Sequence, residues 1–358
     1  MIWMDKIRIV VVDDSAFMRK AISDMIESED SFEVVAKLRD GRELIEKVED
    51  INPDLITLDV HMRDLDGLAT LKELKRMGKS YPIIMLSSAT TEGSEITLEC
   101  LDNGAITFIN KPSGSISLDI AKIQRRLIDE IKSITASKRE KKANLKTRDN
   151  IKTIINKDIE KSNISIPKNK KIDAVLIGAS TGGPKALQEV LTKLPENLGV
   201  PVLVVQHMPE GFTKVFAERL DKVCNLKVVE ADDGMHIDKN TIYIAKGGFH
   251  MIVDNRKTII LNKDPAIWGV RPAVDKLFNS AIELYGPNIL SVILTGMGRD
   301  GADGTKNIKN NGGITISEDK STCTIYGMPK AAYETGKVDL VVPLNKIAEK
   351  IIEIVQGR

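Results

Sequence analysis

The sequence predicts two α/β domains, each a doubly wound parallel sheet, joined by a basic tether. Three observations carry that expectation. Short apolar runs alternate with amphipathic stretches through residues 7–134, and a second alternation begins at Asp173. Between them, residues 138–171 hold 12 basic and 4 acidic side chains and no aromatic one. Strand and helix patterns in alternation are the signature of a parallel sheet with crossover helices.

In the first domain, Ile7–Val12 reads as a buried strand and Ala16–Glu27 has helical spacing. Strand-like Glu33–Lys37, Asp54–Leu58, Ile83–Leu86 and Thr107–Ile109 then alternate with helical Gly41–Glu49, Leu68–Met77, Glu95–Asp102 and Ser117–Ile134. Sheets of this type bind ligands at the carboxyl ends of their strands. There the chain places Asp13 and Asp14 after the first strand, Asp59 at the end of the third, Ser87 at the end of the fourth, and Lys111-Pro112 after the fifth. Three carboxylates on one edge repel each other unless a cation neutralises them, and an all-oxygen donor set suits magnesium. Lys111 is placed to hold a phosphoryl oxygen and Ser87 to donate to another. A helix cap would account for one aspartate of the pair, but not for the constellation.

The tether, net +8, lacks the apolar content to bury a core and reads as a solvated linker. Nucleic-acid binding would call for stacking aromatics beside the basic run. Residues 172–358 carry 22 charges of each sign, which argues against a DNA-recognition domain. The longest apolar runs, such as Val200–Val205 and Ile289–Leu294, fall far short of the ~20 residues of a membrane span. The start, MIWMDKIRIVVVDDS, has no small-residue cleavage site, so a cytoplasmic protein is expected. Cys100, Cys224 and Cys323 are odd in number and widely spaced, which speaks against a disulfide framework or a zinc site.

In the second domain, DAVLIGASTGGPKAL reads as strand, glycine-rich turn and helix, with Pro184 in the first helical turn. Strand-like VPVLVVQ leads into His207, and the buried run NILSVI leads into a glycine loop bearing Asp300. Gly178-Ala179-Ser180-Thr181-Gly182 fits G-x-S-x-G, the elbow that exposes a nucleophilic serine, with helix N–H groups nearby for an oxyanion. Serine needs a base. Of His61, His207, His236 and His250, only His207 directly follows a buried strand of this domain. The order Ser, His, Asp differs from the Ser, Asp, His of α/β-hydrolases, in which case His236 or His250 would be the base. The residues alone leave that choice open. GASTGGPK lacks the phosphate-loop spacing, and the Asp300 loop lacks the ligand series of an EF-hand, so Asp303 is expected to cap a helix.

Residues 5–124 resemble the response-regulator receiver family through Asp13-Asp14, LDVHMRDLDGL with Asp59, MLSSAT with Ser87, and GAITFINKP with Lys111. The resemblance implies that Asp59 accepts a phosphoryl group from a histidine kinase. Asp13, Asp14 and Asp59 would hold magnesium, and Phe108 would be the switch aromatic that turns inward on activation. Arg63 stands where the family usually has proline.

Residues 172–358 resemble the catalytic domain of chemotaxis protein-glutamate methylesterases, the CheB family. The matching pieces are IGASTGGP, VVQHMPEGFT, IYIAKGGFH, RPAVDKLF, LTGMGRDGADG and IYGMPKAA. The resemblance implies Ser180 as nucleophile, His207 as base and Asp300 as orienting acid, with Thr181, Met297 and His250 lining the site and no cofactor in this half. It further implies hydrolysis of glutamate γ-methyl esters on methyl-accepting chemoreceptors, in some members also glutamine deamidation, and phosphorylation by a chemotaxis kinase. Lys246 replaces a common family proline, and residues 125–171, a helix end and flexible linker, are longer and more basic than the family's.

Overall fold

The computed structural model describes residues 6–87, 91–111, 117–148 and 170–357, and divides into two units, Met1–Ala143 and Asn144–Arg358. Pro112 and most of the tether fall outside the described residues.

The first unit is built on strands β1 (Ile7–Val12), β2 (Phe32–Leu38), β3 (Leu55–Asp59), β4 (Ile83–Ser87) and β5 (Thr107–Asn110), in the order β2-β1-β3-β4-β5. All pairings are parallel. β3 and β4 are buried along their whole length, as strands covered on both faces must be. Helices α1 (Ala16–Glu27), α2 (Gly41–Ile51), α3 (Gly67–Arg76), α4 (Thr91–Asp102) and α5 (Ser117–Arg148) cross between them or close the unit. The first three are capped by Ser15, Asp40 and Asp66, whose side chains accept the N–H of Met18, Glu43 and Ala69, each worth about 1 kcal/mol. Since Ser15 is the cap of α1, Asp13 and Asp14 are left for other work.

The apolar spacing predicts that α5 stops at Ile134, but the helix runs on to Arg148 and takes up the first part of the expected linker. The apolar stripe does end there: Leu127, Ile131 and Ile134 are buried. Beyond it, Lys, Arg, Glu and Ala dominate with no glycine or proline to stop the helix. Helix propensity and basic residues toward the C-terminal end favour that extension.

The second unit has a seven-stranded parallel sheet in the order β14-β13-β12-β6-β7-β9-β8. Its strands are β6 (Ala174–Ala179), β7 (Val202–Gln206), β8 (Lys227–Glu230), β9 (Thr241–Ile244), β12 (Ile289–Ile293), β13 (Ile314–Glu318) and β14 (Leu340–Val342). An antiparallel hairpin of β10 (His250–Val253) and β11 (Ile259–Asn262) is inserted after β9. Helices α6 (Gly183–Leu191), α7 (Phe212–Asp221), α8 (Val274–Tyr285), α9 (Ala302–Asn310), α10 (Met328–Glu334) and α11 (Leu344–Gln356) complete it. Leu277, Phe278 and Ala281 of α8 join Met251 and Val253 of the hairpin and Leu176, Leu203 and Ile293 of the sheet in one buried core. The chain enters at the central strand β6, builds β7 on one side, and returns to place β12 on the other. That reversal leaves a crevice at the carboxyl ends of β6, β7 and β12, where open α/β sheets take their ligands. No helix among the described residues is long and apolar enough to cross a membrane.

Candidate active site

Ser180 lies one residue beyond β6, His207 one residue beyond β7, and Asp300 in the loop between β12 and α9. Neighbouring strands of one sheet thus bring together three residues that are far apart in sequence. The backbone ties them closely: His207 N–H donates to the Ala179 carbonyl at 3.1 Å and Ser180 N–H to the Thr295 carbonyl at 3.0 Å. Because its own N–H is used in this way, Ser180 has none to offer an oxyanion.

The turn holding Ser180 requires glycine at two places. Gly182 has φ +77, and a Cβ on it would stand 2.5 Å from Thr324 Cβ. Gly296 passes so close that a Cβ there would stand 2.8 Å from that of Ser180. The Gln206 side chain donates to the Ser180 carbonyl at 3.0 Å, and Thr295 Oγ1 donates to the Thr181 carbonyl at 3.0 Å.

His207 Nε2 is 2.8 Å from Asp300 Oδ2, and the two side chains are 8% and 2% exposed. Asp300 also accepts Val274 N–H on Oδ2 at 2.6 Å and Asp275 N–H on Oδ1 at 3.0 Å, both from the first turn of α8. Burial works against its charge, yet His207 and these two amides hold the Asp300 carboxyl below its ordinary value. Asp275 lies just behind it, 5% exposed. Burial and the neighbouring Asp300 charge push Asp275 up to about 6. With Nε2 committed to Asp300, the nitrogen of His207 left for other partners is Nδ1.

The other expected site residues fall out unevenly. Thr181 is buried and Met297 half-buried in the loop that follows β12. His250 opens strand β10. It is fully buried, with Nε2 3.1 Å from the Pro265 carbonyl, and burial lowers its pKa. Asp303 is not a cap: Gly301 occupies the cap position of α9, and Asp303 sits in the first turn, 3.7 Å from Arg299. Two positioning carboxylates have no counterpart among the expected residues. Glu318, at the end of the buried run ITISE, accepts Thr295 N–H at 2.7 Å, and Asp275 accepts Gly304 N–H at 2.7 Å. Their sequence signals are slight: Glu318 closes a short β-branched run, and Asp275 is an acidic residue in the first turn of a helix.

In the first unit, Asp13, Asp14 and Asp59 offer oxygens all within 4.8 Å of one another, at the reversal between β1 and β3. Three carboxylate oxygens fit a hard divalent cation such as magnesium. Lys111 reaches both Asp13 at 2.7 Å and Asp59 at 2.6 Å. Burial nevertheless outweighs Lys111 and pushes Asp59 up to about 6, with Asp13 adding to the rise. Ser87 is buried, its Oγ 2.6 Å from Thr97 Oγ1. Phe108, expected to turn inward on activation, is already 4% exposed. Arg63 lies 3.6 Å from Asp14, giving its departure from the family pattern an electrostatic partner. His61 meets Asp59 through its backbone N–H at 3.3 Å, not its ring.

The CheB methylesterase family matches residues 175–351, and the response regulator receiver domain family matches residues 9–124. The chain is 49% identical over 354 residues to the protein-glutamate methylesterase/protein-glutamine glutaminase of Clostridium acetobutylicum, covering 99% of each. It is 46% identical over 356 residues to the protein of the same name from Pyrococcus abyssi, covering 98% of this chain and 94% of that one. The crystal structure of the Thermotoga maritima CheB methylesterase catalytic domain aligns with a TM-score of 0.50 at 47% identity, over 52% of this chain and 100% of that chain. With a receiver domain ahead of a CheB catalytic domain, and relatives matched along nearly the whole length, the chain belongs to the protein-glutamate methylesterase/protein-glutamine glutaminase family.

Proposed function

We propose that this chain hydrolyses γ-glutamyl methyl esters on the cytoplasmic segments of chemoreceptors, releasing methanol, and that phosphorylation of Asp59 activates it. The observation that carries the reading is the buried His207–Asp300 pair at 2.8 Å, beside a serine on a glycine elbow.

Ser180 Oγ attacks the ester carbonyl while His207 takes its proton. Since Nε2 faces Asp300, Nδ1 is the basic nitrogen, the reverse of the assignment in the chymotrypsin template. Asp300 fixes that tautomer and stabilises the imidazolium. Backbone N–H groups near Thr181 and Met297 hold the oxyanion. His207 then gives its proton to the departing methoxide, and deprotonates the water that releases glutamate. The same acyl-enzyme forms from glutamine with ammonia as leaving group, which makes deamidation a second activity of one site.

In the receiver, taken as residues 5–124, Asp59 accepts the phosphoryl group from a chemotaxis histidine kinase. Asp13, Asp14 and Asp59 are the residues to hold magnesium, which offsets phosphoryl charge when bound. Lys111 and Ser87 meet the new oxygens. A phosphoryl group adds roughly −1.5 to −2 charge, enough to bias a two-state equilibrium of the receiver that governs the activity of the catalytic domain, residues 172–358. A difference of about 3 kcal/mol between the two states sets the resting population near 99%. The test measures methanol release from methylated receptor with and without a small-molecule phosphodonor and magnesium. Stimulation of the intact chain but not of Asp59→Ala supports the reading, and equal rates in all four samples refute activation.

A further inference from the structure

The connection from β11 to α8 folds back on itself. Ile267 and Val270 exchange backbone hydrogen bonds at 3.2 and 3.0 Å, leaving Trp268 and Gly269 at the tip with φ +53 and +79. A two-residue turn with both positions left-handed favours asparagine and glycine. Tryptophan there carries backbone strain, so local preference does not explain it.

The indole is 54% exposed, yet it is held from two sides. Its Nε1 donates to Asp275 Oδ2 at 3.4 Å, and the Arg299 guanidinium carbon lies 4.8 Å from the ring centroid. The base of the loop is pinned as well: His250 meets the Pro265 carbonyl, Arg271 Nη1 donates to the carbonyls of Lys263 and Asp264, and Lys276 pairs with Asp264 at 2.9 Å. This ring is built into the edge of the esterase site. Asp275, which anchors it, donates its N–H to Asp300, and Arg299, which braces it, is the residue before Asp300. A rigid aromatic surface with one face stacked by a cation and more than half its area in solvent suits a contact with another chain, at low entropic cost.

We propose that Trp268, braced by Arg299, is a substrate-contacting residue that packs on the apolar side chains flanking the esterified glutamate of a polypeptide substrate. The proposal rests on the esterase reading above, and assigns Trp268 to recognition of the segment around the ester.

The test compares two substrates on the full chain with magnesium and a small-molecule phosphodonor: methylated receptor, and p-nitrophenyl acetate, an ester with no polypeptide. For Trp268→Ala, KM for the receptor should rise about tenfold, the size of one good aromatic contact. The ratio of kcat/KM on receptor to that on p-nitrophenyl acetate should fall by a similar factor. Trp268→Phe keeps a ring for Arg299 to stack on but loses the N–H, and should recover most of the receptor KM. Parallel losses on both substrates would show that the indole serves only to hold Asp275, and would overturn the proposal, as would an unchanged ratio in the alanine variant. Failure of the wild type itself on methylated receptor would instead remove the esterase reading, and the proposal with it.

Discussion

Asp300→Asn separates the structural and chemical duties of one carboxylate. In the wild type both oxygens are used: Oδ2 takes Val274 N–H and the His207 ring, and Oδ1 takes Asp275 N–H. Asparagine has the same shape but only one acceptor. With its oxygen toward Val274 and His207, its NH2 meets the Asp275 N–H, leaving buried donors unpaired at a cost of about 1–3 kcal/mol. With the amide turned over, NH2 faces the His207 Nε2, which must then accept, so the imidazole proton moves to Nδ1. In the proposed mechanism that is the nitrogen Ser180 needs unprotonated. The expected outcome is kcat for methanol release lowered by about 10²–10⁴, and a melting temperature lowered by roughly 3–10 °C for a unit of this size. Asp300 titrates below its ordinary value, so its stabilising effect is full at neutral pH and is lost as pH falls through the acid range toward the folded value. The gap in melting temperature between wild type and variant should therefore narrow below about pH 4. A variant within threefold of wild-type kcat, with an unchanged melt, would show that this carboxylate neither sets the tautomer nor anchors α8.

Ser180→Ala and His207→Ala should each lower turnover by about 10³ or more while leaving the fold intact, since triad members act as a unit. His250→Ala should lower the melting temperature and retain turnover; a dead His250 variant beside an active His207 variant would move the base. Lys111→Met leaves Asp13 and Asp59 buried without their cation, and should destabilise the receiver by about 3–5 kcal/mol. Added magnesium should restore part of that in a denaturant melt, and no recovery would argue against a metal site. Asp275, raised to about 6, binds its proton more tightly folded than unfolded, so its charge disfavours folding as pH rises through 4–6. The melting temperature of Asp275→Asn relative to wild type should accordingly rise between about pH 4 and pH 6 and level off above that, and a pH-independent difference across that window would contradict this.

The first unit was almost wholly legible, because its strands are short, buried on both faces and separated by helices of clear period. The constellation Asp13, Asp14, Asp59, Ser87 and Lys111 could be read from strand ends alone. The second unit was harder. β6, β7 and β12 stood out because they are central and predominantly apolar, and these are the strands followed by Ser180, His207 and the Asp300 loop. The edge strands β8 and β14 and the hairpin β10–β11 mix buried with partly exposed positions, and they did not register as strands. Chain order could not choose among His207, His236 and His250. The choice depends on which strand lies beside β6, a fact of pairing between distant segments. Asp275 and Glu318 escaped for the same reason, since each acts on a backbone N–H contributed by another element.

The return of the chain to the centre of its second sheet has a consequence for synthesis. Parallel pairing of β6 with β12 joins Ala174 to Ile289, closing a loop of more than a hundred residues before the crevice exists. A nascent chain emerging from the ribosome displays the Ser180 elbow early, but Asp300 and the α9 turn come much later. The receiver, by contrast, draws its five strands from the first third of the chain, and vectorial folding completes N-terminal domains first. Every molecule thus acquires its regulatory half before it can acquire esterase chemistry. A ribosome stalled short of residue 300 would carry a folded receiver domain and a serine elbow without Asp300 beside it.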